Sequence, residues 1–120
     1  MVLHAHLPFV RHPEHQTFLE EDWFFEAVTE TYIPLLDMFT RLEDEEIRFR
    51  ITMSLTPTLI SMMKDPLLQE RYVRHLNKMI ELSEREIKRT RNDQHLQTLA
   101  RMYQNIFTRC RRSFSEVWNR

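Results

Sequence analysis

Two histidines separated by one residue, His4 and His6, lie near the start of the chain and carry side chains that can do chemistry. They follow a short apolar run, and Pro8 ends the stretch. Because side chains at i and i+2 of a β-strand point to the same face, a strand over residues 1–8 would project both imidazoles together. Barrels and open α/β sheets assemble their sites at such strand ends. From spacing alone, the pair fits metal ligands, for example of zinc, as well as buried histidines hydrogen-bonded to backbone carbonyls.

The elements that must position this pair are predicted to form a β-α-β unit. Apolar residues recur at steps of three and four over residues 22–42, which predicts a helix. Pro34 lies inside that pattern and is expected to kink the helix. Residues 47–54 alternate between apolar and polar side chains, which predicts a second strand. A strand, a crossover helix and another strand favour a parallel pair.

The rest of the chain is predicted to be helical. Thr56-Pro57 and Asp65-Pro66 each place a capping residue before a proline, a pattern typical of helix starts. The predicted helices cover residues 57–63, 66–91 and 93–118. The short connection between the last two predicts an antiparallel helical hairpin. The whole chain, residues 1–120, is therefore interpreted as one mostly helical α/β domain.

Composition narrows the class of protein. Lys and Arg (17) nearly balance Asp and Glu (18), giving a net charge of −1, which argues against a nucleic-acid or membrane-surface partner. No apolar run is long enough to span a bilayer. One cysteine, Cys110, excludes an internal disulfide framework and fits a reducing cytoplasm. The chain has no glycine, so it has no glycine-rich phosphate loop, and a mostly helical segment of a larger enzyme is expected.

Three blocks of the sequence resemble glycoside hydrolase family 57, and in particular the 1,4-α-glucan branching enzymes of that family. The first block, residues 2–14, contains both histidines and reads VLHAHLPFVRHPE. The second, residues 23–36, reads WFFEAVTETYIPLL, and the third, residues 49–57, reads FRITMSLTP. The blocks occur in the family's order and approximate spacing.

This resemblance implies an incomplete (β/α)7 barrel that acts on α-1,4-glucan by a retaining mechanism. Such a mechanism needs two carboxylates, a nucleophile and a general acid/base, which in this family come from later strands and are expected beyond Arg120. The resemblance therefore assigns no catalytic residue to this chain, which is expected to be inactive alone. It implies sugar-binding roles for His4 and His6, with an α-1,4-glucan (glycogen, amylose or maltooligosaccharide) as partner and with no metal or cofactor.

Trp23 lies near the predicted start of the first helix and has two interpretations. An indole face stacks well on a sugar ring, so Trp23 is a candidate glucan contact. A residue at this point of a helix is equally compatible with the hydrophobic core. Phe24 and Phe25 beside it are expected in the core.

Two functional alternatives stay open from the residues alone. His4 and His6 can be a His-x-His ligand pair of a metal-dependent barrel hydrolase, or the chain can be a helical protein-interaction module whose apolar stripes face a partner. Glu26 and Glu30 look like a catalytic carboxylate pair, but like charges at i and i+4 are typical of a solvated helix face.

A further group of polar residues lies in the loop after the first strand. His12, Glu14 and His15 are predicted to be solvated there and to have no ligand role.

Overall fold

The computed structural model describes residues 1–118 of the chain; the last two residues of the predicted range 1–120 lie outside the described residues. The elements follow the order β1 (Val2–Ala5), α1 (Leu19–Ala27), a π-helical segment (Val28–Tyr32), α2 (Ile33–Asp44), β2 (Thr52–Leu55), α3 (Pro57–Lys64), α4 (Pro66–Arg89) and α5 (Gln94–Trp118). The chain divides into two compact units, residues 1–70 and residues 71 onward.

The two strands form a parallel pair, as the β-α-β pattern predicts. Val2 is opposite Thr52, and Ala5 is opposite Leu55. Backbone hydrogen bonds continue the ladder at both ends: Thr52 N–H donates to the Met1 carbonyl, and Thr56 N–H to the Ala5 carbonyl, both at 3.1 Å. β1 is shorter than the predicted strand 1–8, because the chain leaves the ladder after Ala5.

The predicted helix 22–42 is longer in the structure and is interrupted by a π-helical segment. Helical structure runs from Leu19 to Asp44, with wider i to i+5 bonding over Val28–Tyr32. Ile33 N–H donates to the Val28 carbonyl, five residues back. Pro34 follows at the first turn of α2, where its missing N–H and its ring cannot continue regular α-helical bonding. The wider turn is how the helix adapts to this proline.

The second strand begins at Thr52, five residues later than predicted, because the preceding residues end α2 instead. Glu46 has a left-handed backbone (φ 55°), and its N–H donates to the Glu43 carbonyl at 3.0 Å. Ile47 N–H donates to the Leu42 carbonyl at 2.9 Å. These two bonds form a Schellman motif, which satisfies carbonyls left free at the helix end.

One apolar residue of this segment, Phe49, packs back toward α2. The ring of Phe49 stacks on Phe39, with centroids 5.5 Å apart. The alternation over residues 47–51 therefore reflects this packing and not a strand.

Both predicted proline-initiated helices begin as expected. The Thr56 hydroxyl accepts a hydrogen bond from Leu59 N–H at 3.4 Å and caps α3. One oxygen of Asp65 accepts from the N–H groups of Leu67 (2.9 Å) and Leu68 (3.1 Å) and caps α4. The other oxygen pairs with Arg11 Nε at 2.5 Å, so Asp65 also ties the loop after β1 to this helix start.

In the second unit, residues near the start of α4 contact residues near the end of α5, and residues near the end of α4 contact residues near the start of α5. The ring of Tyr72 packs edge-on against Phe114 (4.9 Å between centroids), and Arg111 donates to the Asn77 side chain at 3.0 Å. Nearer the connection, Gln97 Nε2 donates to the Ile87 carbonyl at 3.1 Å. Tyr72 and Cys110 are fully buried.

The observed fold is mostly helical, with a small two-stranded parallel sheet, and so agrees with an α/β segment. In the first unit the buried residues include Phe24 and Phe25, as expected, together with Val10, Leu59 and Met62. None of the helices within residues 1–118 combines the length and the apolar character needed to cross a membrane.

Candidate functional site at the ends of the parallel strands

His4 lies one residue before the end of β1 and is held by the neighbouring strand. The parallel register places His4 opposite Ser54. The Nδ1 atom of His4 is 2.6 Å from the Ser54 hydroxyl oxygen, which is a short hydrogen bond that joins residues fifty positions apart. Both side chains are exposed to solvent. The imidazole is thus anchored through one nitrogen, and its Nε2 is the atom left to meet a ligand.

His6 projects on the same side as His4, as the i, i+2 spacing predicts. The two rings stack with centroids 5.0 Å apart and planes inclined by 27°. Ala5, between them, points the other way and is buried. His6 is exposed, and burial of the two histidines against backbone carbonyls, the alternative that the spacing left open, is not seen within residues 1–118. Two adjacent imidazoles form a hydrogen-bonding surface at the carboxyl end of β1.

Trp23 is exposed within residues 1–118, unlike its two neighbours. Its exposed fraction is 54%, whereas the neighbouring Phe24 and Phe25 are 4% and 5% exposed. Trp23 therefore lies outside the core that these residues form. Its indole face is available for stacking, and the role as a glucan contact stays a prediction.

The loop that follows β1 is more organised than a solvated loop. His12 uses both ring nitrogens: Nδ1 is 3.0 Å from a Glu14 carboxylate oxygen, and Nε2 is 3.2 Å from a Glu20 oxygen. Hydrogen bonding to Glu14, together with Glu20 and the charges of both carboxylates, raises the pKa of His12 above its ordinary value of 6.5. The pKa of the Glu14 carboxyl is lowered, chiefly by a backbone hydrogen bond and then by His12. Both nitrogens can donate only when the imidazole is protonated.

Aromatic stacking and a hydrogen bond to the start of α1 also hold this loop in place. The His12 ring lies 3.7 Å from the Phe18 ring, centroid to centroid, and the His15 ring lies 5.2 Å from it on a nearly parallel plane. His12 N–H also donates to a carboxylate oxygen of Glu21, which is 1% exposed, at 3.4 Å. The loop is therefore fixed to the start of α1, close in sequence to the two histidines of β1.

The other candidate groups are not brought together with the histidine pair. Glu26 and Glu30 are both exposed on the helix surface, in agreement with a solvated face. Within residues 1–118, no cluster of three or more His, Cys, Asp or Glu side chains has a geometry that could hold a metal ion.

Two residues of this region were not predicted from the sequence. Ser54 is a polar residue of the predicted strand 47–54, but nothing local in the sequence connects it to His4. The signal that identifies it is the parallel register of the two strands. Glu20 gave no signal beyond its charge, because its partner His12 is reached only through the turn of the loop.

Imidazoles at the carboxyl end of parallel strands, with a helix between the strands, define an α/β segment with a polar edge. The sequence model of glycosyl hydrolase family 57 matches residues 1–117. The chain belongs to glycosyl hydrolase family 57. This membership favours the glycosidase interpretation over a metal-dependent hydrolase or an independent helical module.

Curated relatives are similar over part of this chain. The 1,4-alpha-glucan branching enzyme of Thermococcus kodakarensis is 37% identical over 93 residues, which cover 78% of this chain and 14% of the relative. A probable 1,4-alpha-glucan branching enzyme of Mycobacterium tuberculosis is 33% identical over 66 residues, covering 55% of this chain and 12% of the relative.

Two solved structures share the fold. An alpha-amylase from Thermotoga maritima superposes with a TM-score of 0.90 at 47% identity, and a family 57 branching enzyme from Pyrococcus horikoshii superposes with a TM-score of 0.87 at 28% identity. Each superposition covers 97% of this chain and 22% of the solved chain. The chain therefore spans about a fifth or less of the proteins it matches.

Proposed function

We propose that residues 1–120 form the sugar-binding N-terminal part of a retaining enzyme acting on α-1,4-glucan, of the 1,4-α-glucan branching type. The observation that carries the proposal is the pair His4 and His6, exposed together at the carboxyl end of a parallel strand in a family 57 chain. The names of the curated relatives support the branching type. A cytoplasmic location is part of the proposal, since a buried cysteine outside any disulfide, Cys110, suits a reducing compartment.

In this proposal the strand pair is the beginning of an incomplete (β/α)7 barrel, and α4 and α5 form a helical hairpin that leaves the barrel after its second strand. The imidazoles hydrogen-bond sugar hydroxyls and orient a glucose ring next to the bond that is cleaved. Trp23 offers an apolar face to another ring. The nucleophile and the acid/base belong to later strands of the larger protein, so this segment binds substrate but supplies no catalytic residue.

A second candidate reaction is hydrolysis of the same glucan. It is favoured by one observation: identity to the alpha-amylase structure is 47%, against 28% to the branching enzyme structure. Branching and hydrolysis share the cleavage step and differ in whether a sugar hydroxyl or water accepts the glycosyl group. The histidine pair serves both reactions.

Binding of maltoheptaose to the isolated chain tests the sugar site. We expect its addition to shift the ring resonances of His4 and His6 in the NMR spectrum. His4→Ala should weaken binding roughly fivefold, the loss of about one hydrogen bond. His95→Ala is the matched control, because His95 is an exposed histidine of α5 and should leave binding unchanged. Equal effects of the two substitutions, or no shift at His4, would contradict the proposal.

The reaction type is tested in the complete protein that contains this segment. Incubation with amylose should produce α-1,6 branch points, which are detected by NMR of the anomeric protons. New reducing ends without branch points would instead assign hydrolysis. Absence of both products would reject the α-glucan proposal.

A further inference from the structure

The hydrogen bond between His4 and Ser54 is set by the backbone. The two residues are opposite each other in the parallel register, so the distance between their α-carbons is fixed by the ladder and not by a flexible loop. The bond between Nδ1 and the hydroxyl oxygen is 2.6 Å long, at the short end for such groups. Serine adds a hydroxyl with little rotamer freedom to lose. A residue in this position can therefore hold the imidazole ring in one orientation.

A hydrogen bond at Nδ1 also decides which nitrogen of a neutral imidazole carries the proton. If the hydroxyl donates to Nδ1, the ring proton is on Nε2, and Nε2–H faces outward as a donor. If Nδ1–H donates to the hydroxyl, Nε2 faces outward as an acceptor. The serine thus controls what His4 presents to a ligand.

His6 differs from His4 in this respect. The last paired residue of β1 is Ala5, so His6 lies beyond the ladder and has no opposite position on β2. Its ring contact is with His4, at 5.0 Å. The orientation of the stacked pair therefore depends on the one ring that the sheet anchors.

We infer that Ser54 is a positioning residue that donates its hydroxyl proton to Nδ1 of His4, so that His4 presents Nε2–H as a fixed donor to an oxygen of the ligand, a sugar hydroxyl or ring oxygen. The assignment of the ligand rests on the proposed function. The control of the His4 tautomer by Ser54 does not.

The tautomer is measured directly by NMR on the chain labelled with nitrogen-15 in histidine. In its neutral form, His4 should show a protonated Nε2 and an unprotonated Nδ1, with widely separated nitrogen shifts. In Ser54→Ala the two shifts should move toward each other, because the ring then exchanges between both tautomers. Ser54→Thr keeps the hydroxyl and should restore the separation. His4→Gln identifies the His4 resonances among the six histidines.

A matched control lies on the same strand. Thr52 is exposed and is opposite Val2, which has no polar side chain, so Thr52→Ala removes a hydroxyl from β2 without touching His4. Unchanged His4 shifts in Ser54→Ala would overturn the inference. A proton on Nδ1 of the unsubstituted chain would overturn it too, and this measurement does not depend on any variant being folded.

Binding of maltoheptaose distinguishes a failure of this inference from a failure of the proposed function. If both hold, Ser54→Ala should weaken sugar binding roughly threefold and Ser54→Thr should restore it. If the tautomer responds to Ser54 but maltoheptaose shifts neither histidine, the positioning role stands and the sugar site is wrong. If sugar binds but Ser54→Ala leaves the His4 tautomer unchanged, the sugar site stands and the positioning role is wrong.

Discussion

Each of the two compact units is stabilised internally by a different set of contacts. In residues 1–70, side-chain hydrogen bonds join distant parts of the sequence: His4 to Ser54, and Arg11 to Asp65. In the second unit several side-chain bonds stay within one helix turn, for example Ser83 to the Ile80 carbonyl, and an aromatic pair links α4 to α5. The first unit thus combines a buried apolar core with polar contacts between distant parts of the sequence, and the second combines apolar burial with local helix bonds.

This difference shows where the chain can carry a site. Polar side chains that are fixed by partners far away in sequence have defined orientations, as binding groups require. Helices that are paired through apolar stripes are stable with few such groups. The candidate sugar-binding residues all belong to the first unit. The predictions below test whether the two units depend on these different contacts.

The largest expected effect is in the second unit. Tyr72 is fully buried and packs edge-on against Phe114, so Tyr72→Ala should lower the free energy of unfolding by about 3–5 kcal/mol. Tyr103→Ala is the control, because Tyr103 lies on the same unit with 48% of its surface exposed and should cost far less. Urea denaturation followed by circular dichroism measures both. Similar costs for the two tyrosines would show that apolar burial does not hold this unit.

An effect of intermediate size on stability is expected at two helix caps, one in each unit. Asp65 caps α4 and also pairs with Arg11, whereas Asp93 accepts from Leu96 N–H at 3.0 Å and caps α5. Each Asp→Ala change should remove about 1 kcal/mol of cap stabilisation, and Asp65→Ala should cost more because it also breaks the link to the loop. Asp65→Asn keeps a capping oxygen and loses the charge, which isolates the contribution of Arg11. Equal losses at Asp65 and Asp93 would mean that the long-range pair adds nothing.

The smallest expected effect is a pH dependence confined to the loop of the first unit. The raised pKa of His12 means that its stabilising contribution is present below about 6.5 and is lost as the pH rises through the raised pKa. The lowered pKa of Glu14 means that its contribution is present above about 4.5 and is lost as the pH falls through the lowered pKa. The structure of this loop should therefore be most stable between about pH 4.5 and pH 6.5. Glu20 and His15 are also titratable and face His12 and Glu14.

Protection of backbone amides from hydrogen exchange, corrected for intrinsic rates, measures this dependence. Protection in residues 11–18 should fall from pH 6 to pH 9, and His12→Gln should abolish the change. The second unit provides the contrast, since its exposed pair Glu86 and Arg89 has a lowered and a raised pKa and stays ionised in that range. A parallel loss of protection in both units would contradict a local effect of His12.

The sequence predicts the second unit better than the first, because the signals that define its helices are local in the sequence. The helices predicted at 66–91 and 93–118 end within two residues of α4 and α5, because their periodicity and caps are local signals. The alternation over 47–54 predicts a strand five residues too early, because the Ile47 N–H bonds back to the Leu42 carbonyl and the Phe49 ring stacks on Phe39, contacts that alternation does not encode. His4 and His6 were found by spacing, whereas Ser54 required the register of two strands fifty residues apart.

The π-helical turn before Pro34 has a consequence for changes in chain length. A π-helical turn holds one more residue than an α-helical turn, so Val28–Tyr32 stores one extra residue between α1 and α2. A deletion of one residue there, combined with replacement of Pro34, converts the turn to regular α-helix without rotating α2 about its axis. This segment is thus a place where the crossover helix can shorten while the direction of the chain entering β2, and with it the position of Ser54, is kept.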